Sequence, residues 1–93
     1  MRRMALPLLL SAWTGAAMAL DINLATEAEL DSLRGFGPSL TAKVLAARQD
    51  KAFAHWADLM KRVSGIREAT AQRLSDQGVT VQGRPYTAPH KAP

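Results

Sequence analysis

The stretch Leu33-Arg34-Gly35-Phe36-Gly37-Pro38-Ser39 decides the fold of this 93-residue chain. Glycines on both sides of one apolar residue allow the backbone to turn sharply, while the apolar residue fills the space between the elements that the turn joins. Pro38 suits the first position of a helix, because its fixed φ matches the helix and its missing N–H would have no helical acceptor there. The stretch therefore predicts a tight turn, plugged by Phe36, that leads into a helix beginning at Pro38.

Helical patterns lie on both sides of this turn. Upstream, Thr26-Glu27-Ala28-Glu29 matches a capping box, which predicts a short helix that begins there and ends at Gly35. Downstream, apolar residues at helical spacing predict a helix from Pro38 to about Lys51. The residues expected to face inward from these two helices are Leu30, Leu33, Leu40, Val44 and Leu45.

The same pattern recurs thirty residues later, so that residues 30–46 align with residues 60–76. The aligned pairs are Leu30 with Met60, Leu33 with Val63, Gly35 with Gly65, Phe36 with Ile66, Lys43 with Arg73, and Val44 with Leu74. The pattern predicts an internal duplication, in which each copy is a helix, a glycine turn and a second helix. Since neither copy could bury its apolar stripe alone, we expect an all-α, pseudo-two-fold fold of four to five short helices.

The first turn has the chemistry of an anion site. Its amides, with those of Ser39 and Leu40 at the start of the next helix, are expected to point outward from the positive end of that helix. Lys43, one helical turn further on, could add a charge-assisted hydrogen bond. Such a site fits the phosphates of a nucleic acid and reads no base edges, so it positions the backbone without specifying sequence.

The second turn departs from the first, because Arg67 stands where the first turn has Gly37. Two interpretations are open. An arginine forced toward positive φ would cost about 1 kcal/mol or more and change the shape of the turn; alternatively, its guanidinium could bind a phosphate directly. Thr70 and Arg73 are the further candidates in this copy, although Thr70 could equally be an ordinary helix residue.

Residues 1–19 have the pattern of a secretory signal. Arg2 and Arg3 give a positive start, an apolar run follows over residues 4–13, and small residues lead to a cleavage site expected after Ala19. The apolar run is short of the ~20 residues that a membrane anchor needs. We expect an exported protein whose folded domain covers residues 20–83, followed by a disordered, proline-containing tail at residues 84–93.

Composition narrows the classes of function. The net charge is +4 and would fall by two with the loss of Arg2 and Arg3, which is a mild indication of an anionic partner. The chain has no cysteine and two histidines far apart, and we find no nucleophile with a base, paired carboxylates or metal-ligand spacing. We therefore expect a binding protein rather than an enzyme, without a cofactor, a metal or a small-molecule substrate.

From about Asp21 to Gly83 the sequence resembles the helix-hairpin-helix superfamily, and specifically the ComEA-type competence DNA receptors. The stretches that carry the resemblance are Ile22 to Thr26, Glu29-Leu30, Leu33 to Leu40, Phe53 to Leu59, Arg73 to Ser75, and Gly78 to Gly83. The resemblance implies a tandem helix-hairpin-helix pair. It also implies a periplasmic or surface-exposed protein without enzymatic activity that binds incoming double-stranded DNA during uptake for transformation. A membrane DNA-uptake channel is a further candidate partner.

The residues expected to contact DNA are Gly35, Phe36, Gly37, Ser39, Leu40, Lys43, Gly65, Arg67, Thr70 and Arg73. The alternative is an exported protein-interaction module that keeps the duplicated fold and has little affinity for DNA. Salt separates the two, because phosphate binding weakens steeply with ionic strength, whereas a packed protein interface responds far less.

Overall fold

Four helices and one pair of two-residue strands form residues 19–88, the part of the chain that the computed structural model describes. In chain order they are β1 (Leu20–Asp21), α1 (Glu27–Asp31), α2 (Pro38–Asp50), α3 (Trp56–Arg62), α4 (Glu68–Asp76) and β2 (Val79–Thr80). The predicted helical fold is confirmed, and the capping box at Thr26 is present with both of its hydrogen bonds. The predicted leader lies outside the described residues except for Ala19.

Matched hydrogen bonds relate the two halves. In each half, the N–H of the apolar residue in the turn donates to the carbonyl three residues earlier. The first backbone hydrogen bond of the following helix also lies at equivalent positions in the two halves. These bonds are Phe36 N–H to Leu33 O and Ile66 N–H to Val63 O, both 3.3 Å, then Thr41 N–H to Gly37 O at 3.0 Å and Ala71 N–H to Arg67 O at 2.8 Å. The sequence repeat is therefore a repeat of backbone geometry as well.

One predicted pairing is wrong, because Leu30 corresponds in space to Leu59 rather than to Met60. Leu30 and Leu59 are both fully buried, whereas Met60 is only partly buried. The register shifts by one residue because the two helices end differently. After α1, Leu33 N–H donates to Leu30 O, three residues back, whereas after α3, Val63 N–H donates to Leu59 O, four residues back. The tighter last turn of α1 removes one residue from the first copy.

The core lies between the two halves and contains residues from every helix. Its fully buried apolar side chains include Ile22, Leu30, Val44, Phe53, Leu59, Val63, Ile66, Leu74, Val79 and Val81. The buried polar residue is Thr41, at 1% exposure, whose hydroxyl donates to Asp31 Oδ1 at 2.6 Å. This bond satisfies the hydroxyl inside the core and joins α2 to α1.

The strand pair joins the two ends of the domain. β2 pairs in parallel with β1, with Leu20 opposite Val79 and Asp21 opposite Thr80. Leu20 N–H donates to Gly78 O and Ile22 N–H to Thr80 O, both at 2.9 Å. These bonds satisfy amides that would otherwise lie unpaired beside the core.

Arg62 holds the connection between α2 and α3. Its guanidinium donates to the carbonyl oxygens of Ala47 at 2.7 Å and Lys51 at 2.8 Å, and it lies 4.5 Å above the ring of Phe53. It therefore gives a second donor to Ala47 O, which also accepts from Lys51 N–H at 3.3 Å, binds the carbonyl of the C-cap residue, and covers a core ring at the same time.

The folded part of the chain extends beyond Gly83, the predicted end of the domain. Tyr86 is 8% exposed, its ring meets that of Trp56 edge-on at 5.5 Å, and its amide donates to Ser75 Oγ at 2.9 Å. Trp56 Nε1 donates to Arg84 O at 2.8 Å. Of the first three residues assigned to the disordered tail, Tyr86 thus belongs to the core and the exposed Arg84 is tied to it through its carbonyl; residues 89–93 lie outside the described part.

Candidate nucleic-acid interface

The first turn needs only one of its two glycines for its backbone conformation. Gly35 has φ +83°, a region that side chains strongly disfavour, whereas Gly37 has φ −96° and ψ 174°, extended backbone that any residue can adopt. A Cβ built on Gly37 would meet no atom within 4 Å. Gly35 therefore makes the turn, and Gly37 leaves open space in front of the helix that follows.

The helices that follow the turns differ from those that lead into them. Thr26 Oγ1 caps α1 and His55 Nδ1 caps α3, in each case by accepting a first-turn amide. The starts of α2 and α4, at Gly37 and Arg67, have no side-chain cap. Their first-turn amides are left for an external acceptor, next to the positive end of the helix dipole.

At the first turn the free donors are specific amides. Within residues 19–88, the N–H groups of Gly35, Gly37, Ser39 and Leu40 have no acceptor, and the first amide of α2 with a helical partner belongs to Thr41. Ser39 is exposed and Leu40 half-buried. Amides grouped in this way at a helix start fit an anion such as phosphate.

The two turns lie against each other. A Cβ built on Gly65 would lie 3.1 Å from Leu40 Cδ2, so the start of α2 packs on the second turn. Lys43 Nζ also crosses to this turn, where it donates to Ser64 O at 3.3 Å and Ser64 Oγ at 3.2 Å. The fold thus brings two uncapped helix starts and their turns into one surface.

The family model described as a helix-hairpin-helix motif matches residues 16–77, about two thirds of the chain. The chain belongs to the helix-hairpin-helix family. This motif is commonly a nucleic-acid-binding element. No curated protein and no solved structure matches the chain.

The second helix-hairpin-helix turn does not have the strain that the sequence suggested. Gly65 has φ +105° and takes the left-handed position, while Arg67 has φ −119° and ψ −173°. The expected cost at Arg67 is therefore wrong, because this position is extended in both turns and requires no glycine. The exposed guanidinium of Arg67 stands at the start of α4, where it can meet an anion.

The two helix-hairpin-helix copies differ in charge at their helix starts. In the first copy Pro38 and Ser39 open α2, whereas in the second Glu68 opens α4 and places a carboxylate beside the free amides. A carboxylate there stabilises the helix dipole but repels a phosphate. The first copy is therefore the better anion site, and the second depends on the charge of Arg67.

The structure separates the predicted contact residues into two groups. Phe36 is buried and its amide donates to Leu33 O, so it shapes the turn and does not present its side chain at the surface. Thr70 is half-buried near the start of α4. The exposed residues of the predicted set are Gly35, Ser39, Lys43, Gly65, Arg67 and Arg73, and Gly37 is half-buried.

A groove of about 510 Å³ lies beside the second turn, between the end of α3 and the start of α4. Lys61 and Arg67 are among its lining residues, the partly buried Met60 contributes apolar surface, and Glu68 supplies a carboxylate. Its position next to Gly65 makes it part of the same surface as the two turns. The sequence repeat did not indicate this groove, because Lys61, Arg67 and Glu68 differ in chemistry from the residues thirty positions earlier, which are Asp31, Gly37 and Pro38.

Two further features of residues 19–88 bear on the class of site. No helix among them is long and apolar enough to cross a membrane, and no group of three or more histidine, cysteine or acidic side chains there is placed to hold a metal ion. The surface formed by the turns instead combines backbone donors with separate basic side chains. That combination is suited to binding a polyanion.

Proposed function

We propose that this protein binds the phosphate backbone of double-stranded DNA without reading its base sequence. The observation that carries the proposal is the pair of uncapped helix starts, at Gly37 and Arg67, that the fold brings together beside two glycine turns. The helix-hairpin-helix family supplies the class of partner. Because both helix starts lie on one surface, the two copies can contact neighbouring phosphates of the same DNA duplex.

In the proposed contact, phosphate oxygens accept hydrogen bonds from the amides of Ser39 and Leu40, and the dipole of α2 adds to the attraction. Lys43 supplies a positive charge from the next turn of the same helix. In the second copy the contact passes mainly to Arg67, because Glu68 weakens the amide site. The backbone donors carry no information about base identity, so affinity should be equal for unrelated duplexes.

We further propose that the protein acts outside the cytoplasm, as a periplasmic DNA receptor in competence. The support is the secretory pattern of residues 1–19 and the resemblance to ComEA-type receptors. In this role it would pass DNA to a membrane uptake channel. The proposed activity is binding alone, without catalysis, a cofactor or a small-molecule substrate.

The second candidate is an exported protein-interaction module with the same fold. The observation that favours it is Glu68 at the start of α4, together with a net charge of only +4 for the whole chain. In that case the surface of the turns would bind a protein, and salt would change the affinity only weakly.

Fluorescence anisotropy with two unrelated duplexes of equal length, over a salt series, tests the proposal. Residues 20–93 should bind both equally, in the micromolar range typical of non-specific contacts, with a log-log salt slope of about −3 to −5. Lys43→Glu should weaken binding about tenfold, because it reverses a charge beside the amide site. The matched control is Lys51→Glu, the same change at the opposite end of α2.

If Lys51→Glu weakens binding as much as Lys43→Glu, net charge rather than the turn surface binds DNA. No binding by the folded wild-type protein at low salt would overturn the proposal in favour of a protein partner, which a pull-down would then identify.

A further inference from the structure

In each of the two turns, the residue before the left-handed glycine is held by the other half of the molecule. Arg34 precedes Gly35 and Ser64 precedes Gly65, at equivalent positions thirty residues apart. The peptide group at this position sets the direction of the turn that follows. Whatever holds Arg34 therefore influences where the amides of the first turn point.

At the first turn the holding residue is Gln77, forty-three positions away in sequence. Its Oε1 accepts from Arg34 N–H at 2.9 Å, and its Nε2 donates to Arg34 O at 2.9 Å. The carboxamide thus bonds to both backbone groups of one residue, as a neighbouring β-strand would. A single side chain fixes the backbone immediately before Gly35.

Gln77 is itself well anchored. It is the C-cap residue of α4, its Nε2 also donates to Arg73 O at 3.2 Å, and its backbone N–H donates to Leu74 O at 3.0 Å. Gly78, with φ +100°, follows it and leads into β2. The first turn is therefore tied to the end of the second copy rather than to its own helices alone.

The second turn has the reciprocal contact, since Lys43 of α2 donates to Ser64 O and Ser64 Oγ. That contact uses a long, flexible ammonium that is also proposed to meet phosphate, whereas Gln77 makes two short hydrogen bonds and carries no charge. The contact with the shorter hydrogen bonds is the one at the first turn, where the amide site is better.

We propose that Gln77 is a positioning residue for DNA binding, which orients the first turn without touching DNA. The inference rests on the proposed function, because it assigns the residue that prepares the amide site for phosphate. A turn that is already ordered loses less conformational entropy when the ligand binds, so the loss of Gln77 should weaken binding while leaving the charge of the surface unchanged.

The test compares Gln77→Met with Gln72→Met. Methionine keeps the length and the helix propensity of glutamine but cannot form the two bonds to Arg34. Gln72 lies on the same helix, and its side chain bonds to Asp76 rather than to the first turn. Gln77→Asn is a second variant, since asparagine is well tolerated at a helix C-terminus but is one methylene too short to reach Arg34.

For each variant, duplex affinity over a salt series and amide hydrogen exchange by NMR are measured on the same sample. We expect Gln77→Met and Gln77→Asn to bind DNA about fivefold more weakly, in line with the loss of two exposed hydrogen bonds. Amide exchange should become faster at Arg34 and Phe36 of the first turn but not at Ile66 of the second turn. The salt slope should stay close to that of the wild type, because no cationic group is removed. Gln72→Met should match the wild type in all of these.

Wild-type affinity in both folded Gln77 variants would overturn the inference and leave the proposed function intact. Weaker binding with faster exchange throughout the domain would also overturn it, because Gln77 would then be a general stability residue. Failure of the wild type to bind any duplex would instead overturn the proposed function, and the inference with it.

Discussion

Gly35 and Gly37 flank the same residue, but only Gly35 has a backbone conformation that requires a glycine. Gly35 holds φ +83°, whereas Gly37 is extended and has open space where a side chain would lie. We expect Gly35→Ala to destabilise the domain by about 1 kcal/mol or more. Gly37→Ala should be neutral or stabilise it by a few tenths of a kcal/mol, since it restricts the unfolded chain without straining the folded one. Urea unfolding of both variants measures the difference.

Equal losses of stability in the two variants would contradict this account, because they would show that the fold needs a glycine at position 37 as well. The DNA affinity of Gly37→Ala provides a separate reading, because its methyl group would stand in front of the amides of α2.

At the residue scale, the sequence predicted the turn and the burial of Phe36 but not the backbone conformation of each glycine. The spacing of Gly35, Phe36 and Gly37 indicates a sharp reversal, and Phe36 is buried as expected. The sign of φ at each position depends on how the chain enters the next helix, which composition does not reveal. For that reason strain at Arg67 was one of the two open interpretations, although this residue occupies a position that is extended in both copies.

At the scale of elements, α3 begins with a reciprocal cap that uses a histidine. Asp58 N–H donates to His55 Nδ1 at 3.0 Å, and Ala54 N–H donates to Asp58 Oδ2 at 2.9 Å. The hydrogen bond from Ala54 lowers the pKa of Asp58 below its ordinary value of 3.8, partial desolvation opposes this shift, and Arg62, 3.1 Å away, lowers the pKa further. The charged carboxylate is therefore favoured in the folded state.

Because the pKa of Asp58 is lower when folded than when unfolded, its contribution to stability is present above the unfolded pKa and is lost as the pH falls through the folded value. We expect Asp58→Asn to be less stable than the wild type at neutral pH and to lose less stability between about pH 5 and about pH 2. Urea unfolding at several pH values measures this. Asp50→Asn, at the exposed end of α2, is the control and should keep the wild-type profile.

A parallel loss of stability with acid in wild type and Asp58→Asn would contradict this account of the cap. The existence of α3 follows from its apolar spacing, which the sequence shows. The one-residue slip relative to α1 could not be read in the same way, because it depends on whether the last turn bonds three or four residues back.

For the molecule as a whole, the segment after Gly83 completes the core. Tyr86 packs on Trp56, and its hydroxyl is buried without a hydrogen-bond partner among the described residues. We expect Tyr86→Ala to destabilise the domain by about 3 kcal/mol, through lost burial and the cavity left behind. Tyr86→Phe should be neutral or stabilising, because it removes an unsatisfied hydroxyl and keeps the ring.

Thermal and urea unfolding of the two variants give the comparison. If Tyr86→Ala is as stable as the wild type, the segment does not pack on Trp56 in solution. If Tyr86→Phe is markedly less stable than the wild type, the hydroxyl has a partner, such as a bound water.

The contacts between residues far apart in the sequence are those that the sequence predicts least well. Prolines at positions 85 and 89 favour a disordered tail by composition, and a pattern of local spacing cannot show that Tyr86 covers Trp56 thirty residues earlier. The pairing of β1 with β2 has the same cause, since it joins residues fifty-nine positions apart. Local periodicity predicts helices and turns, whereas these two contacts form between segments that become neighbours only when the helices have packed together.

The parallel pairing of Leu20–Asp21 with Val79–Thr80 has a mechanical consequence. Both strands run in the same direction, so tension applied between the residue before Leu20 and the residue after Thr80 pulls the strands past each other along their length. The hydrogen bonds between them would then be loaded together in shear rather than opened one after another. Force applied at these two points would therefore meet the strand pair in the geometry that requires its hydrogen bonds to break together.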